Sequence, residues 1–297
     1  MAADCKIICI GSVLWDVIGR SASVMRQGSD VPGRITRIPG GVALNIAMAL
    51  ARSGLRPALL TAVGRDAEGD ELIDACKARG LITELAYRSD DLPTDVYMAV
   101  EGANGLIAAI ADAHSLEAAG DKILAPLSDG RLATEDKPYT GAVALDGNLT
   151  HDLLETIARS PLLAKADLRV APASPGKAER LLPFVRTGRG TLYVNLEEAG
   201  ILCKRSFDTS RDAAAGLLAR GAHRVLVTNG GQDASEGRGN EIVTRTPPQV
   251  LVTRVTGAGD TFMAAHIAAD ISGATSVEAL EQALDTAATY VSGETPL

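Results

Sequence analysis

Long apolar runs are missing from this 297-residue chain, and no stretch approaches the ~20 residues that a membrane-spanning helix requires. That excludes an integral helical membrane protein and predicts no membrane partner. Aromatic residues are scarce, at 3%. The core must therefore be built from Ala, Leu, Val and Gly, which suits helices packed tightly on a sheet. There is no basic block: 29 Lys and Arg stand against 37 Asp and Glu, a net charge of −8. This argues against nucleic acid as the main partner. It leaves phosphate ligands open, because backbone N–H groups and Mg²⁺ bind them locally. The four cysteines, Cys5, Cys9, Cys76 and Cys203, include no C-x-x-C pair. Free thiols in a reducing compartment are expected, and a zinc site is not. Nothing at Met1 to Cys5 resembles a signal peptide, so a cytoplasmic location is expected. Internal repeats and low-complexity tracts are also lacking. With 46% hydrophobic residues, residues 1–297 are enough for one large α/β domain with a small appendage.

What is present is a rhythm. Residues 6–11 form a short β-branched run ending at Gly11; residues 42–53 have helical spacing and stop at Gly54. Residues 57–63 read as a strand ending at Gly64, and 68–79 as a helix ending at Gly80. Strand, Gly, helix, Gly in succession predicts βαβ units and a largely parallel sheet. The alternation resumes with strands at 141–145, 168–171, 191–194 and 223–228, and helices at 151–159, 208–220, 262–271 and 277–291. Two pieces break it. Residues 30–39 are extended and bounded by Gly and Pro. Residues 94–100 and 105–111 are two strands joined at Gly102-Ala103-Asn104-Gly105, where Asn-Gly is a strong hairpin signal. Together, about 30–39 and 94–111 read as a β lid outside the main sheet. Residues 117–139 are the least legible.

The stretch Val255-Thr256-Gly257-Ala258-Gly259-Asp260-Thr261 carries the most chemistry. A strand-like segment at 250–255 runs into residues too small to block a ligand, then a carboxylate, then an apolar helical pattern from Phe262. Backbone N–H groups of Gly257, Ala258 and Gly259 at a helix N-terminus would face an anion. A carboxylate beside bound phosphate is unfavourable unless it has work to do, and accepting a proton from an attacking hydroxyl is such work. The plain alternative is a Gly-rich turn whose Asp merely compensates the helix dipole.

Other polar residues sit where successive strands end, the end of an α/β sheet at which ligands gather. They are Asp16 after the first strand, Gly40, Gly41 and Asn45 at the first helix, and Asp146 and Asn148 after the strand ending at Leu145. Asn195 and Glu198 follow Val194, and Thr228, Asn229 and Gly230 close the strand at 223–228. Each alone is ordinary turn chemistry, and Asp16 would equally satisfy turn amides.

Both signatures, Pro39-Gly40-Gly41-Val42-Ala43-Leu44-Asn45-Ile46-Ala47 and Thr256-Gly257-Ala258-Gly259-Asp260-Thr261, occur in order, with Ala62-Val63-Gly64-Arg65-Asp66 and Asn195-x-x-Glu198 between them. In these the chain resembles the PfkB (ribokinase-like) carbohydrate and nucleoside kinases, from Gly11 to about Tyr290. The resemblance implies a ribokinase-like three-layer sandwich, a mostly parallel central sheet with helices on both faces and a small β-strand lid. It implies ATP and Mg²⁺ as cofactors. Asp260 would be the base, with Gly257, Ala258 and Gly259 the anion hole. Asn195 and Glu198 would hold Mg²⁺ directly or through water. Thr228, Gly230 and Ala287 would line the nucleotide, and Asp16, Gly40, Gly41, Asn45, Asp146 and Asn148 would grip the substrate. The lid would exclude water, and a homodimer through it is one arrangement such an appendage supports.

Val31-Pro32-Gly33-Arg34-Ile35, Asp146-Gly147-Asn148-Leu149 and Ala109-Ile110-Ala111-Asp112 look like pseudouridine kinases within that family. The resemblance thus implies phosphorylation of the 5′-hydroxyl of pseudouridine or a related nucleoside. The alternatives are a sugar kinase acting on ribose or a keto-sugar acid, and a non-catalytic nucleoside-binding relative. The resemblance stops at Arg254, which stands where many relatives carry an Asp that helps bind a monovalent cation. A guanidinium cannot ligate K⁺.

Overall fold

The computed structural model describes residues 5–294. In chain order its strands are β1 (Ile7–Ile10), β2 (Leu14–Arg20), β3 (Arg34–Gly40), β4 (Ala58–Leu60), β5 (Ala62–Gly64), β6 (Tyr87–Ser89), β7 (Val96–Gly102), β8 (Gly105–Asp112), β9 (Ala142–Asp146), β10 (Asp167–Ala171), β11 (Thr191–Asn195), β12 (Arg224–Asn229), β13 (Gln232–Arg238) and β14 (Glu241–Arg245). The α-helices are α1 (Val42–Arg52), α2 (Ala67–Ala78), α3 (His114–Ala119), α4 (Ala125–Ser128), α5 (His151–Arg159), α6 (Leu182–Thr187), α7 (Leu196–Cys203), α8 (Ser210–Ala219), α9 (Ala258–Ile271) and α10 (Ser276–Ser292). None of them is long and apolar enough to cross a membrane.

The main sheet has eight strands in the order β14-β13-β12-β11-β10-β9-β1-β4. Six are parallel, from β4 to β12, and β13 and β14 close one edge antiparallel. Side chains alternate across each strand, and the alternation builds two separate cores. Ile8, Ile10, Val143, Leu145, Val170, Val194 and Val225 face α5, α6, α7 and α8. Ile7, Cys9, Ala142, Ala144, Tyr193 and Leu226 face α1, α2, α9 and α10. The alanines on this second face let the helices sit close. Residues Thr261 to Ala269 of α9 are buried without interruption, as expected of a helix that is apolar all round. This is a ribokinase-like α/β fold, three layers deep.

A second sheet, in the order β3-β2-β7-β8, stands beyond the carboxyl ends of the parallel strands. It contains the hairpin expected at 94–111 and the extended piece at 30–39, with a fourth strand added. That strand is β2, which pairs with β3 antiparallel and β7 parallel. Asp16 therefore lies on a strand of this sheet and not in a loop after β1. Its polar-looking context (Asp16, Gly19, Arg20) hides a strand that is only half covered.

Three other expectations change. The run 57–63 is not one strand: β4 pairs with β1, whereas β5 turns away to pair with β6. Thr61 sits at the break, its backbone carbonyl accepting from the Tyr87 N–H at 2.8 Å. The strand expected at 250–255 does not form. Leu251 is 83% and Val255 71% exposed, and the segment is tied instead to the end of α10, the Val291 carbonyl accepting from the Thr253 N–H at 2.8 Å. Finally, residues 117–139 contain the end of α3, a short 3₁₀ turn at Gly120–Leu124 and α4, held by Leu116, Ile123 and Leu127 in the first core.

Candidate active site

A cavity of about 620 Å³ opens where the parallel strands end and the second sheet overhangs them. Its walls come from β2 (Leu14, Asp16), α1 (Val42, Asn45), β7 (Tyr97), β11 and α7 (Asn195, Glu198), β12 (Thr228) and the 255–260 turn.

At its floor Asp260 occupies the first turn of α9, after Gly257 has turned the chain with φ +86°. Asn45 Nδ2 donates to Asp260 Oδ2 at 2.9 Å, so the first turns of α1 and α9 meet across the site. Burial pushes the Asp260 carboxyl up to about 7; the Asn45 hydrogen bond opposes this, and the negative charges of Asp146 and Asp16 add to it. Asp16, on the opposite wall, is raised by burial to about 6. A carboxyl near 7 is matched to accepting a proton at neutral pH.

The turn before α9 is less uniform than its sequence implies. The Ala258 N–H donates to the Val255 carbonyl at 3.0 Å. It is therefore engaged within the turn and not offered to a ligand. The N–H groups of Gly257, Gly259 and Asp260 have no hydrogen-bond partner among the described residues. A Cβ on Gly259 would meet nothing within 4 Å. The turn thus presents two glycine amides and the Asp260 amide at a helix N-terminus.

The other expected residues divide into those on the wall and those behind it. Gly41 caps α1 with φ +98°, and a Cβ there would lie 2.5 Å from the Ser12 carbonyl oxygen. Gly40, at the end of β3, is small because the Asp16 carboxylate lies over it: a Cβ there would collide with Asp16 Oδ2. Asp146 is fully buried and does not reach the cavity. Its Oδ2 accepts from the Ser12 N–H at 2.8 Å and from the Ser12 hydroxyl, and its Oδ1 from the Asn148 N–H at 2.7 Å. The Ser12 oxygen in turn accepts from the Val42 N–H at 2.9 Å, so Asp146 acts through Ser12 on the start of α1. Asp146 thus stands behind the wall of the cavity, not on it. Asn148 is on the wall, and Lys177 Nζ donates to its Oδ1. Lys177 carries no signal in the sequence: it lies in a 3₁₀ segment, Pro175–Leu181, with no periodic pattern. Burial, helped by nearby Arg180, lowers its pKa.

Asn195 and Glu198 form a capping box at α7: the Asn195 oxygen accepts from the Glu198 N–H at 2.9 Å, and Glu198 Oε2 from the Asn195 N–H at 2.8 Å. The Asn195 oxygen is thus engaged. Glu198 Oε1 has no hydrogen-bond partner among the described residues, and burial raises this carboxyl to about 7. Among the described residues no three His, Cys, Asp or Glu side chains cluster to hold a metal. The donor set fits Mg²⁺, which keeps most of its waters and takes one or two carboxylates alongside substrate phosphates. Thr228 is on the wall. Gly230 lies in the β12–β13 turn with φ +56°, and Ala287 packs on the second core, so neither lines this cavity. Arg254 stacks on the Tyr290 ring, 3.9 Å from its centroid, and its Nε donates to the Tyr290 carbonyl at 2.7 Å.

The chain as a whole is similar to known proteins. The chain is 28% identical over 264 residues to the pseudouridine kinase of Escherichia coli (strain K12), covering 87% of this chain and 81% of that one. It is 27% identical over 270 residues to the ribokinase of Mus musculus, covering 87% and 80%. A solved carbohydrate kinase from Agrobacterium tumefaciens superposes with a TM-score of 0.81 at 25% identity, over 98% of this chain and 94% of that one. The profile of the pfkB carbohydrate kinases matches residues 4–295, from before β1 to beyond α10. With that match spanning both sheets and the Asp260 turn, the chain belongs to the pfkB family of carbohydrate kinases.

Proposed function

We propose that this protein transfers the γ-phosphoryl group of ATP to the 5′-hydroxyl of pseudouridine or a related nucleoside. One observation carries the reading: the Asp260 carboxylate, at the amide-rich start of α9, is held by Asn45 at the floor of a cavity that the second sheet overhangs, where burial raises its pKa. The acceptor hydroxyl gives its proton to an Asp260 carboxylate oxygen as its oxygen bonds to the γ phosphorus. The bond from that phosphorus to the bridging oxygen breaks, and its electron pair leaves with ADP. The Gly257 and Gly259 amides stabilise charge on the transferring group. Glu198 would hold Mg²⁺, which when bound with the nucleotide would neutralise phosphate charge. Asp16, Asn45 and Asn148 orient the acceptor, and the second sheet limits water and with it wasteful hydrolysis.

Support for a nucleoside comes from the pseudouridine kinase relative and from the polar pair Asn148 and Lys177 on the far wall. The ribokinase relative, matching almost as well, favours a free sugar as the second reading. A coupled ADP-release assay over pseudouridine, uridine, adenosine, ribose and 2-keto-3-deoxy sugar acids separates the two. Pseudouridine should give the highest kcat/KM; turnover of a sugar with none of pseudouridine would overturn the nucleoside assignment.

The second sheet also supports a homodimer. β8 is its edge strand, all eight residues are exposed, and Leu106 and Ile110 are 60% and 68% accessible. An exposed apolar edge is a template for pairing with another chain. Sedimentation should show a dimer that Ile110→Glu dissociates; a wild-type monomer at micromolar concentration would refute the pairing.

A further inference from the structure

We infer that Tyr290, on α10, is a positioning residue that sets the direction of the Gly257 amide. The inference rests on the anion-binding role proposed above for the turn before α9. A second cavity, of about 790 Å³, adjoins the first, and Thr256 and Gly257 line both. Tyr290 lines only the second. Its hydroxyl donates to the Thr256 carbonyl at 2.9 Å. A trans peptide is planar, with its C=O and N–H antiparallel, and no peptide among the described residues is cis. With the Thr256 carbonyl drawn toward Tyr290, the Gly257 N–H must point the other way, to the side of Asp260.

Among the described residues no other hydrogen bond to the Thr256 carbonyl or the Gly257 amide holds that orientation. Glycine accepts either sign of φ, so the Thr256–Gly257 peptide can flip at little steric cost. The flipped form would aim a carbonyl oxygen at the phosphoryl group in place of a donor. The approach of Tyr290 is also why residue 257 lacks a side chain: a Cβ there would lie 2.6 Å from the Tyr290 hydroxyl. The ring is itself fixed by the Arg254 guanidinium stacked on it and by the Arg254 hydrogen bond to its carbonyl.

Tyr290→Phe tests this, because it keeps the ring beneath Arg254 and removes only the hydroxyl. Loss of a whole oxyanion donor lowers kcat by about 10²–10³; an amide left free to flip should lower it about 10- to 100-fold. The acceptor KM should stay within about twofold, since the amide acts on the transferring group. A purely structural tyrosine would shift the melting temperature and leave kcat within twofold, and that result overturns the inference. A second readout is the Gly257 amide resonance in [¹⁵N]glycine-labelled protein, titrated with orthovanadate and MgADP. It should move in the wild type and much less in Tyr290→Phe. Equal movement in both, or none in either, also overturns it. If the wild type phosphorylated no acceptor, the kinase proposal would fail, and the resonance would still decide the role of Tyr290.

Discussion

Replacing Asp260 by Asn should lower kcat by about 10²–10⁴-fold, the usual worth of a positioned general base, with the acceptor KM little changed. The amide is isosteric and still meets Asn45, but it takes no proton from the acceptor. Unchanged turnover would eliminate Asp260 as the base. A wild type that binds nucleosides without phosphorylating any acceptor would instead establish the non-catalytic alternative. The same carboxyl sets a pH dependence. With Asp260 raised to about 7 and Asp16 to about 6, wild-type kcat/KM should rise with pH through about 7 and then level. The fall on the acid side should steepen below about 6 as Asp16 also protonates. Stability should run the opposite way. An Asp whose folded-state pKa lies above its unfolded value binds more protons when folded, so its contribution declines as pH rises from about 4 to about 7. Asp260→Asn should therefore melt higher than wild type at pH 8, and the difference should shrink at pH 5. This would be the usual exchange of stability for function at an active site. A variant that melts lower at pH 8 would contradict the buried-carboxylate picture.

Asp146→Ala should cost about 3 kcal/mol of stability, because the Ser12 N–H, the Ser12 hydroxyl and the Asn148 N–H lose their acceptor and each buried orphan costs about 1–3 kcal/mol. The hydroxyl can rotate, which favours the low end of the sum. For a chain of this size that corresponds to a fall of roughly 5 °C in Tm. The loss should reach activity indirectly, since Ser12 caps α1 and α1 carries Asn45 to Asp260. Both kcat and KM should then worsen together. If instead Tm is unchanged and only the acceptor KM rises, Asp146 grips the substrate directly, as its place at a strand end first implies.

The Asp146 case shows what strand-end position leaves open. Its placement after Leu145 is legible because β9 is a continuous apolar run. Whether the carboxylate turns into the cavity or back toward the chain depends on Ser12, which is 134 residues away. Ala258 is a local case: its amide is taken up by Val255, three residues earlier, in a turn that small residues permit but do not dictate. Asp16 differs: it does reach the cavity, from a strand that could not be seen. β2 pairs with β3 and β7, and a strand whose partners are both distant shows little of its own period. The β13–β14 hairpin was hidden for a related reason, because Gln232-Asp233-Ala234-Ser235-Glu236 is polar. Yet Ser235 and Glu236 are buried, Ser235 bonded to Ser210 and Thr244, and Glu236 paired with Arg224. Conversely, 250–255 is mostly apolar and β-branched and forms no strand; its backbone is tied to the end of α10 instead.

The amino-acid sequence by itself determined the parallel α/β alternation, the hairpin at 102–105, and the two glycine-rich turns that bring Asn45 and Asp260 to helix starts. These are local: hydrophobic period, glycine at positive φ and helix capping act within a turn or two of chain. Only the tertiary structure decided which of the polar residues face the cavity, and that Tyr290 lies behind the 257–259 turn. Those outcomes depend on hydrogen bonds between segments separated by tens to hundreds of residues, and no local pattern encodes the partner at the other end.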